Sequence, residues 1–325
     1  MMQKTIICYN ENKVIEGKGS REDINNGYNL WIDIINPTSS EISELEKSFN
    51  LDHKAIEKID KQKTKKPQVM IFKKHKFTVF LSLKFNTINH LETNAIYFLS
   101  GNGWLITIHS EEIDLLTKGR IMFSEGKRIL ESSIDALYYS FISSMVETYE
   151  QILSAVELEV VEIEKQAQRN PSKKVLENME LLSRQIIILR RHFWHARHVI
   201  NYHTYLEEDK DDIKYLKIVY DDINQLIELV QSYQDTINST RETFSSSVSL
   251  QTNEVMKILT IFSTIVLPLS LLISILSLQG FDLNNLTTLP KYFYLLVILM
   301  FGITAISLFI FWKKGWIFPK ETHKS

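Results

Sequence analysis

Two stretches near the end of the chain carry no charged side chain: Ile258 to Phe281, 24 residues, and Tyr292 to Trp312, 21 residues. Roughly 20 apolar residues cross the hydrocarbon layer of a bilayer, so the pattern predicts two membrane-spanning helices. A buried soluble hairpin is the alternative, and soluble core helices seldom run this far without a charge. The link, Asp282 to Lys291, is too short to be a domain. Lys257 stands at one outer flank and Lys313, Lys314 and Lys320 at the other. Positive flanks stay on the cytoplasmic side, which predicts a multi-pass protein of the cell (inner) membrane with both termini in the cytoplasm and the lipid bilayer as partner.

Upstream the pattern changes twice. From Thr5 to about Phe123, β-rich runs alternate with helical ones. Leu30–Ile34, Val69–Phe72, Lys76–Leu83, Ala95–Leu99 and Trp104–His109 read as strands, with Gly101-Asn102-Gly103 as a hairpin turn. Pro37-Thr38 opens a helix in which Thr38 caps and Glu41 reaches back. After Gly126 no glycine occurs before Gly280, and the only prolines between them are Pro171 and Pro268. Ser132 to Gln168 and Lys173 to Tyr205 then form an antiparallel helix pair broken at Asn170-Pro171-Ser172. The acidic segment Glu207 to Asp212 is a second turn, and from there to Gln279 one helix of nearly 70 residues is predicted, roughly 100 Å long at 1.5 Å per residue. Such a helix suits carrying a mechanical signal from cytoplasm to membrane. The predicted organisation is a cytoplasmic α/β domain (1–125), a long-helix pair (126–210), a stalk continuing into the first span (211–281), an external loop (282–291), a second span (292–312) and a basic tail (313–325).

Asn253, Met256, Thr260, Ser263, Leu267, Ser270, Ser274 and Ser277 recur every three or four residues and share one side of the helix. In lipid such a stripe suits either close helix packing or the wall of a watery path. A pore built from two spans per chain needs several copies around an axis. Met256 and Leu267 would then add apolar rings able to gate by dewetting. Pro268 removes one helical hydrogen bond at mid-span, which favours a kink or hinge.

Net charge is −2, which gives no global nucleic-acid signature, and direct nucleic-acid binding is not expected. The one cysteine, Cys8, permits no intrachain disulfide and no cysteine-based zinc site. No cleaved signal peptide is expected at the start. No Walker-type loop or nucleophile–base set is present, so the chain reads as a passive conductor rather than an enzyme. Two segments stand out for charge. Lys61, Lys63, Lys65, Lys66, Lys73, Lys74 and Lys76 give seven positive charges in sixteen residues without an acid. Arg190-Arg191-His192-Phe193-Trp194-His195-Ala196-Arg197-His198 mixes cations with aromatic rings. Lys73, Lys74, Lys76, Arg190, Arg191, Trp194 and Arg197 are candidates for holding an anion, because Arg forks hold phosphate and aromatic faces stack a base. Solvated surface and interface packing are the alternatives. The i, i+3 spacing of His192, His195 and His198 also admits a metal site, but no acid or cysteine supports it, and the metal assignment stays open.

The run Ser246-Ser247-Val248-Ser249, Thr252-Asn253-Glu254-Val255-Met256-Lys257-Ile258-Leu259-Thr260-Ile261, Leu267-Pro268-Leu269-Ser270 and Trp312-Lys313-Lys314-Gly315-Trp316 resembles the CorA family of divalent-cation channels. Trp31-Ile32-Asp33 with Pro37-Thr38, and Lys66-Pro67-Gln68-Val69, resemble its amino-terminal domain. The resemblance implies a homopentamer with a cytoplasmic funnel, a pore made by the first membrane helix and an outer ring made by the second. It implies transport of a divalent cation, Mg²⁺ by default and zinc or another cation as the alternative, with no bound cofactor.

Two departures accompany the match. Where the family carries Gly-Met-Asn at the pore entrance, this chain has Ser277-Leu278-Gln279, with Asp282 the only carboxylate of the loop. Gln offers the same amide chemistry on a longer arm. Where magnesium-transporting members place sensor carboxylates, this chain has Lys73-Lys74-His75-Lys76, and the expected acid on the long helix aligns with Ile218, near Asp221 and Asp222. Mg²⁺ requires oxygen ligands, so closure by cytoplasmic Mg²⁺ is not expected. A CorA-like branch encoded with type III CRISPR systems answers instead to a nucleotide second messenger of the SAM-AMP kind. A basic, aromatic subunit interface would suit such a regulatory nucleotide.

Overall fold

The computed structural model describes residues 3–10, 13–60, 66–87, 90–124, 133–278 and 291–315. They belong to two compact units, Met1–Glu242 and Thr243–Ser325. In the first unit, strands β1 (Gln3–Asn10), β2 (Lys13–Glu16), β3 (Asn29–Ile35), β4 (Gln68–Ile71), β5 (Lys76–Thr87), β6 (His90–Gly101) and β7 (Trp104–His109) form one sheet in the order β2-β1-β3-β7-β6-β5-β4. Every neighbouring pair is antiparallel except β3 and β7, which run parallel at the centre. All six residues of β7 are buried, as expected of a central strand covered on both faces.

Alternation along the strands divides the two faces. Leu30, Ile32, Ile34, Ile106 and Ile108 meet Ile42, Leu45 and Phe49 of α2 (Ser39–Phe49) and Ile56 and Ile59 of α3 (His53–Asp60). On the opposite face Trp31 contacts Phe141 at a ring-centroid distance of 5.0 Å and Phe98 contacts Tyr138 at 5.5 Å. Both partners lie on α5 (Ile134–Arg169). Each large side chain buried this way contributes about 1.5–3 kcal/mol. Two further short helices among the described residues are α1 (Arg21–Asn25) and α4 (Asp114–Ser124).

The capping chemistry follows the sequence. Thr38 and Glu41 form the reciprocal capping box of α2, with Glu41 Oε2 accepting from the Thr38 backbone N–H at 2.8 Å. Ser133 starts α5 by accepting from Ala136 N–H, and Ser172, after Pro171, starts α6 (Lys173–Leu206) by accepting from Val175 N–H. At the hairpin between β6 and β7, Gly103 has φ +75°. A Cβ on Gly101 would come within 2.4 Å of the Trp104 ring, so glycine is required there.

α7 runs unbroken from Lys210 to Leu278, 69 residues with Pro268 inside. The expected turn from Glu207 to Asp212 is therefore shorter, because Asp209 Oδ1 accepts from the N–H groups of Asp211 and Asp212 and brings both into the first helical turn. α8 spans Lys291–Lys313. Among the described residues, α7 contains an 18-residue window of mean hydropathy 1.7 with none of it buried, and α8 contributes a shorter apolar stretch, Val297–Lys313.

Candidate functional site

The α7 stripe lies in the second unit. Asn253, Met256, Thr260, Leu267, Ser270 and Ser274 are exposed along it, and Ser263 is half-buried. Thr260 Oγ1 donates to the Met256 carbonyl at 2.7 Å, Thr264 to Thr260 at 2.7 Å, Ser270 to Val266 at 2.9 Å and Ser274 to Ser270 at 2.9 Å. These four hydroxyls thus satisfy their hydrogens on their own helix and keep acceptor capacity on their oxygens. Pro268 has no N–H, so the Thr264 carbonyl lacks its ordinary helical donor. Leu267, 67 % exposed, and Met256, 54 % exposed, are the bulky apolar members. The backbone of Ser277 and Leu278 closes α7, while their side chains, together with Gln279 and Asp282, lie outside the described residues.

The basic candidates fall in the first unit and occupy separate places. Lys61, Lys63 and Lys65 lie outside the described residues. Lys73 and Lys74 are exposed in the β4–β5 turn, where Phe72 N–H donates to the His75 carbonyl. Lys76 reaches a different environment: its charge acts on buried His203 and on the carboxylates of Asp135 and Glu207. Arg190, Arg191 and Trp194 are exposed on α6. Arg197 sits 5.4 Å from the centroid of the Trp194 ring and donates to Asn224 Oδ1 at 3.3 Å. His198 meets Trp194 edge-on at 4.4 Å. The charges of Lys66 and Arg191 both act on His195, whose pKa is lowered first by burial and then by Lys66, His198 and Arg191. Arg191 and His203 are twelve residues apart on α6, roughly 18 Å at 1.5 Å per residue. The fold therefore groups Lys66 with Arg191, Trp194 and Arg197, and places Lys76 elsewhere.

The histidine spacing does not produce a metal site. His192 is buried, and its Nε2 lies 3.0 Å from the Tyr149 hydroxyl, which itself donates to the Leu81 carbonyl at 2.7 Å. His192 is thus the donor, and burial, followed by the charge of His195, drops its pKa to about 3. Among the described residues no group of three His, Cys, Asp or Glu side chains could hold a metal ion.

Two further polar clusters form from residues that no sequence motif groups together. The buried Asp33 carboxylate accepts from Thr107 Oγ1 and, at 3.0 Å, from His109 Nε2, and it pairs with Arg120 Nη1 at 3.2 Å. The parallel register Asp33↔Thr107 creates this cluster, and its signal was the Thr and His interrupting an apolar strand. At the α6–α7 corner, Tyr139 donates to Glu207 Oε2 while Glu207 Oε1 accepts from the N–H groups of Glu208 and Asp209. Despite burial, these hydrogen bonds lower the Glu207 pKa, whereas burial raises that of neighbouring Asp135.

The sequence pattern of the family described as CorA-like Mg2+ transporter protein matches residues 26–314. The cobalt/magnesium transport protein CorA of Thermotoga maritima is 26% identical over 257 residues, covering 77% of this chain and 72% of the relative. The protein of the same description from Methanocaldococcus jannaschii is 25% identical over 294 residues, covering 89% and 91%. The complete structure of the CorA magnesium transporter from Methanocaldococcus jannaschii superposes with a TM-score of 0.78 at 22% identity, over 97% of this chain and 98% of that one. The α/β unit, the long helices and the two apolar segments thus occur together in one known fold, and the chain belongs to the CorA-like Mg2+ transporter family.

Proposed function

We propose that the chain is one subunit of a homopentameric channel that moves a divalent cation, Mg²⁺ by default, passively across the cell membrane. Membership of a transport family makes it a conductor rather than an enzyme. The observation that carries the reading is the one-sided hydroxyl stripe of α7, whose oxygens keep acceptor capacity after their hydrogens are satisfied internally. Cations crossing with part of their water shell can be handed along such acceptors. Ser277, Leu278, Gln279 and Asp282 form the entrance in this reading, with the Gln amide in place of an Asn amide. Lys73 and Lys74, exposed where carboxylates would be needed to bind Mg²⁺, leave cytoplasmic Mg²⁺ without a closing site of the family's type. Purified protein in liposomes should pass Mg²⁺ into a dye-loaded interior, and Ser270→Leu should cut the rate. A bilayer that stays tight with the wild-type protein refutes the reading.

A second reading has its own observation. Trp194 is 49 % exposed, with Arg197 over its ring and Lys66 and Arg191 converging on adjacent His195. A planar, anionic ligand such as a regulatory nucleotide fits that chemistry, and its binding would bias α7 between two states. Saturable binding of adenine nucleotides by the full chain, weakened by Arg191→Glu, supports it. Unchanged flux and no binding across a nucleotide panel remove it.

A further inference from the structure

Helices α6 and α7 each carry two side-chain stripes, and only one stripe of each is covered within the chain. On α7, Leu216, Val219, Ile223, Leu226 and Val230 are buried, while Asp211, Tyr215, Ile218, Asp222, Gln225 and Leu229 are exposed on the other side at three- and four-residue steps. Ile218 is 60 % exposed. On α6, Leu189, Phe193, Ala196 and Ile200 are buried, while Ile187, Arg191, Trp194, His198, Tyr202 and Tyr205 are exposed at similar steps. Both open stripes extend over eighteen residues, roughly 27 Å. A helix in water does not ordinarily display a second row of Ile, Leu, Trp and Tyr unless another surface covers it.

The two open stripes differ in charge. Arg190, Arg191 and Arg197 surround Trp194 on α6 with no acid from 181 to 205, whereas the charges around Ile218 on α7 are Lys214, which pairs with Asp211 at 2.9 Å, Lys217, Asp221 and Asp222. Among the described residues, no ion pair within the chain involves Arg190, Arg191, Asp221 or Asp222. Asp222 is crowded by like charge instead: partial burial and then the charges of Asp221 and Glu150 raise its pKa. Meeting α6 to α6 would oppose Arg to Arg, and α7 to α7 would oppose Asp to Asp. Only the unlike pairing is complementary, and a head-to-tail pairing of unlike surfaces is the kind that closes into rings.

We propose that the exposed α6 stripe centred on Trp194 docks on the exposed α7 stripe centred on Ile218 of a second copy of this chain, with the arginines of one facing the aspartates of the other. The proposal rests on the self-assembly in the channel reading and names the seam that assembly uses; by covering Trp194 and Arg191 it stands in place of the nucleotide reading of those residues. The two subunits are then joined by direct Arg–Asp pairs, and no divalent cation is needed to bridge them.

Cysteine crosslinking of the full chain in detergent tests this, because Cys8 is buried and silent under mild oxidation. The double variant Trp194→Cys, Ile218→Cys should give a ladder of disulfide-linked multimers with copper-phenanthroline, and neither single variant should. Within that background Arg191→Glu or Asp222→Arg should lower the ladder yield about tenfold, on the order expected for a close interfacial charge pair. The two reversals together should restore it. An oligomer by native mass spectrometry that yields no ladder overturns the seam and leaves the channel reading standing. A monomer overturns both. Reversals that do not rescue each other overturn the charge pairing.

Discussion

Acid should destabilise the first unit well before its carboxylates titrate, through His192 and His203. Burial drives the pKa of each to about 3 in the folded chain, with His195 lowering His192 further and Lys76 lowering His203 further. Unfolding returns both to their ordinary value of 6.5. Below that value the unfolded state binds protons that the folded state refuses, so stability is complete above pH 6.5 and erodes as pH falls toward 3. At pH 5.5 an unfolded imidazole is about ten to one protonated, which is worth about 1.4 kcal/mol for each histidine and about 2.8 kcal/mol for the pair. In a unit of this size that corresponds to a fall in Tm of roughly 6 to 11 °C. The assay is thermal unfolding of the full chain in detergent, followed by tryptophan fluorescence between pH 7.5 and 5. The double variant His192→Gln, His203→Gln should remove most of the slope, since a glutamine amide can donate to Tyr149 without titrating. Zn²⁺ should leave Tm unchanged, because His192 is committed to Tyr149. A flat wild-type profile, an undiminished slope in the double variant, or a zinc-induced rise in Tm would refute the reasoning.

Three further outcomes are expected. Asp33→Ala leaves Arg120 and His109 facing each other in the core without their carboxylate, and should cost about 3–5 kcal/mol in the same unfolding assay. Tyr139→Phe should remove the donor that helps keep the Glu207 pKa low; that contribution is present above the ordinary Glu value of 4.5 and lost as pH falls, so the variant should differ most from wild type near neutrality and converge with it in acid. Leu267→Ser should raise basal Mg²⁺ flux into liposomes by about tenfold or more, a dewetting barrier of only 1.4 kcal/mol sufficing for a factor of ten; an unchanged rate places the gate away from Leu267.

The sheet strands are legible because β3, β5, β6 and β7 contain apolar runs rich in β-branched and aromatic residues, and the observed strands coincide with or extend four of the five expected ones, while Val69–Phe72 is displaced by one residue. β1 and β2 are less legible, since Lys4, Lys13 and Glu16 dilute their apolar pattern, and of the two only β2 is an edge strand. The α6–α7 corner was drawn too long because an acidic run reads as a turn, whereas Asp209 caps and Asp211 and Asp212 suit the positive end of a helix. The candidate anion site was legible in residue type but not in grouping. Proximity in sequence suggested Lys73, Lys74 and Lys76 together, yet strand β5 carries Lys76 inward toward Glu207 and Asp135 while Lys66 comes beside His195.

The stripe on α7 supports a pore for a reason other than its polarity. Every hydroxyl whose bond is described there donates to a carbonyl of the preceding turn, so none demands a partner, and a lone serine or threonine could sit on any side of a membrane helix at little cost. Tolerance alone would scatter them. α8 crosses the same apolar medium with Thr304 and Ser307 as its only hydroxyl-bearing aliphatic side chains, and Thr304 is satisfied in the same way by Met300. α7 instead places Thr260, Ser263, Ser270 and Ser274 at three- to seven-residue intervals on one side, with Met256 ahead of them and Leu267 among them. The hydrogen bonds do not require that alignment, whereas the proposed pore does: in a ring of like subunits the axis is the place where one side of every copy converges, and a side of α7 turned to that axis would be turned from lipid.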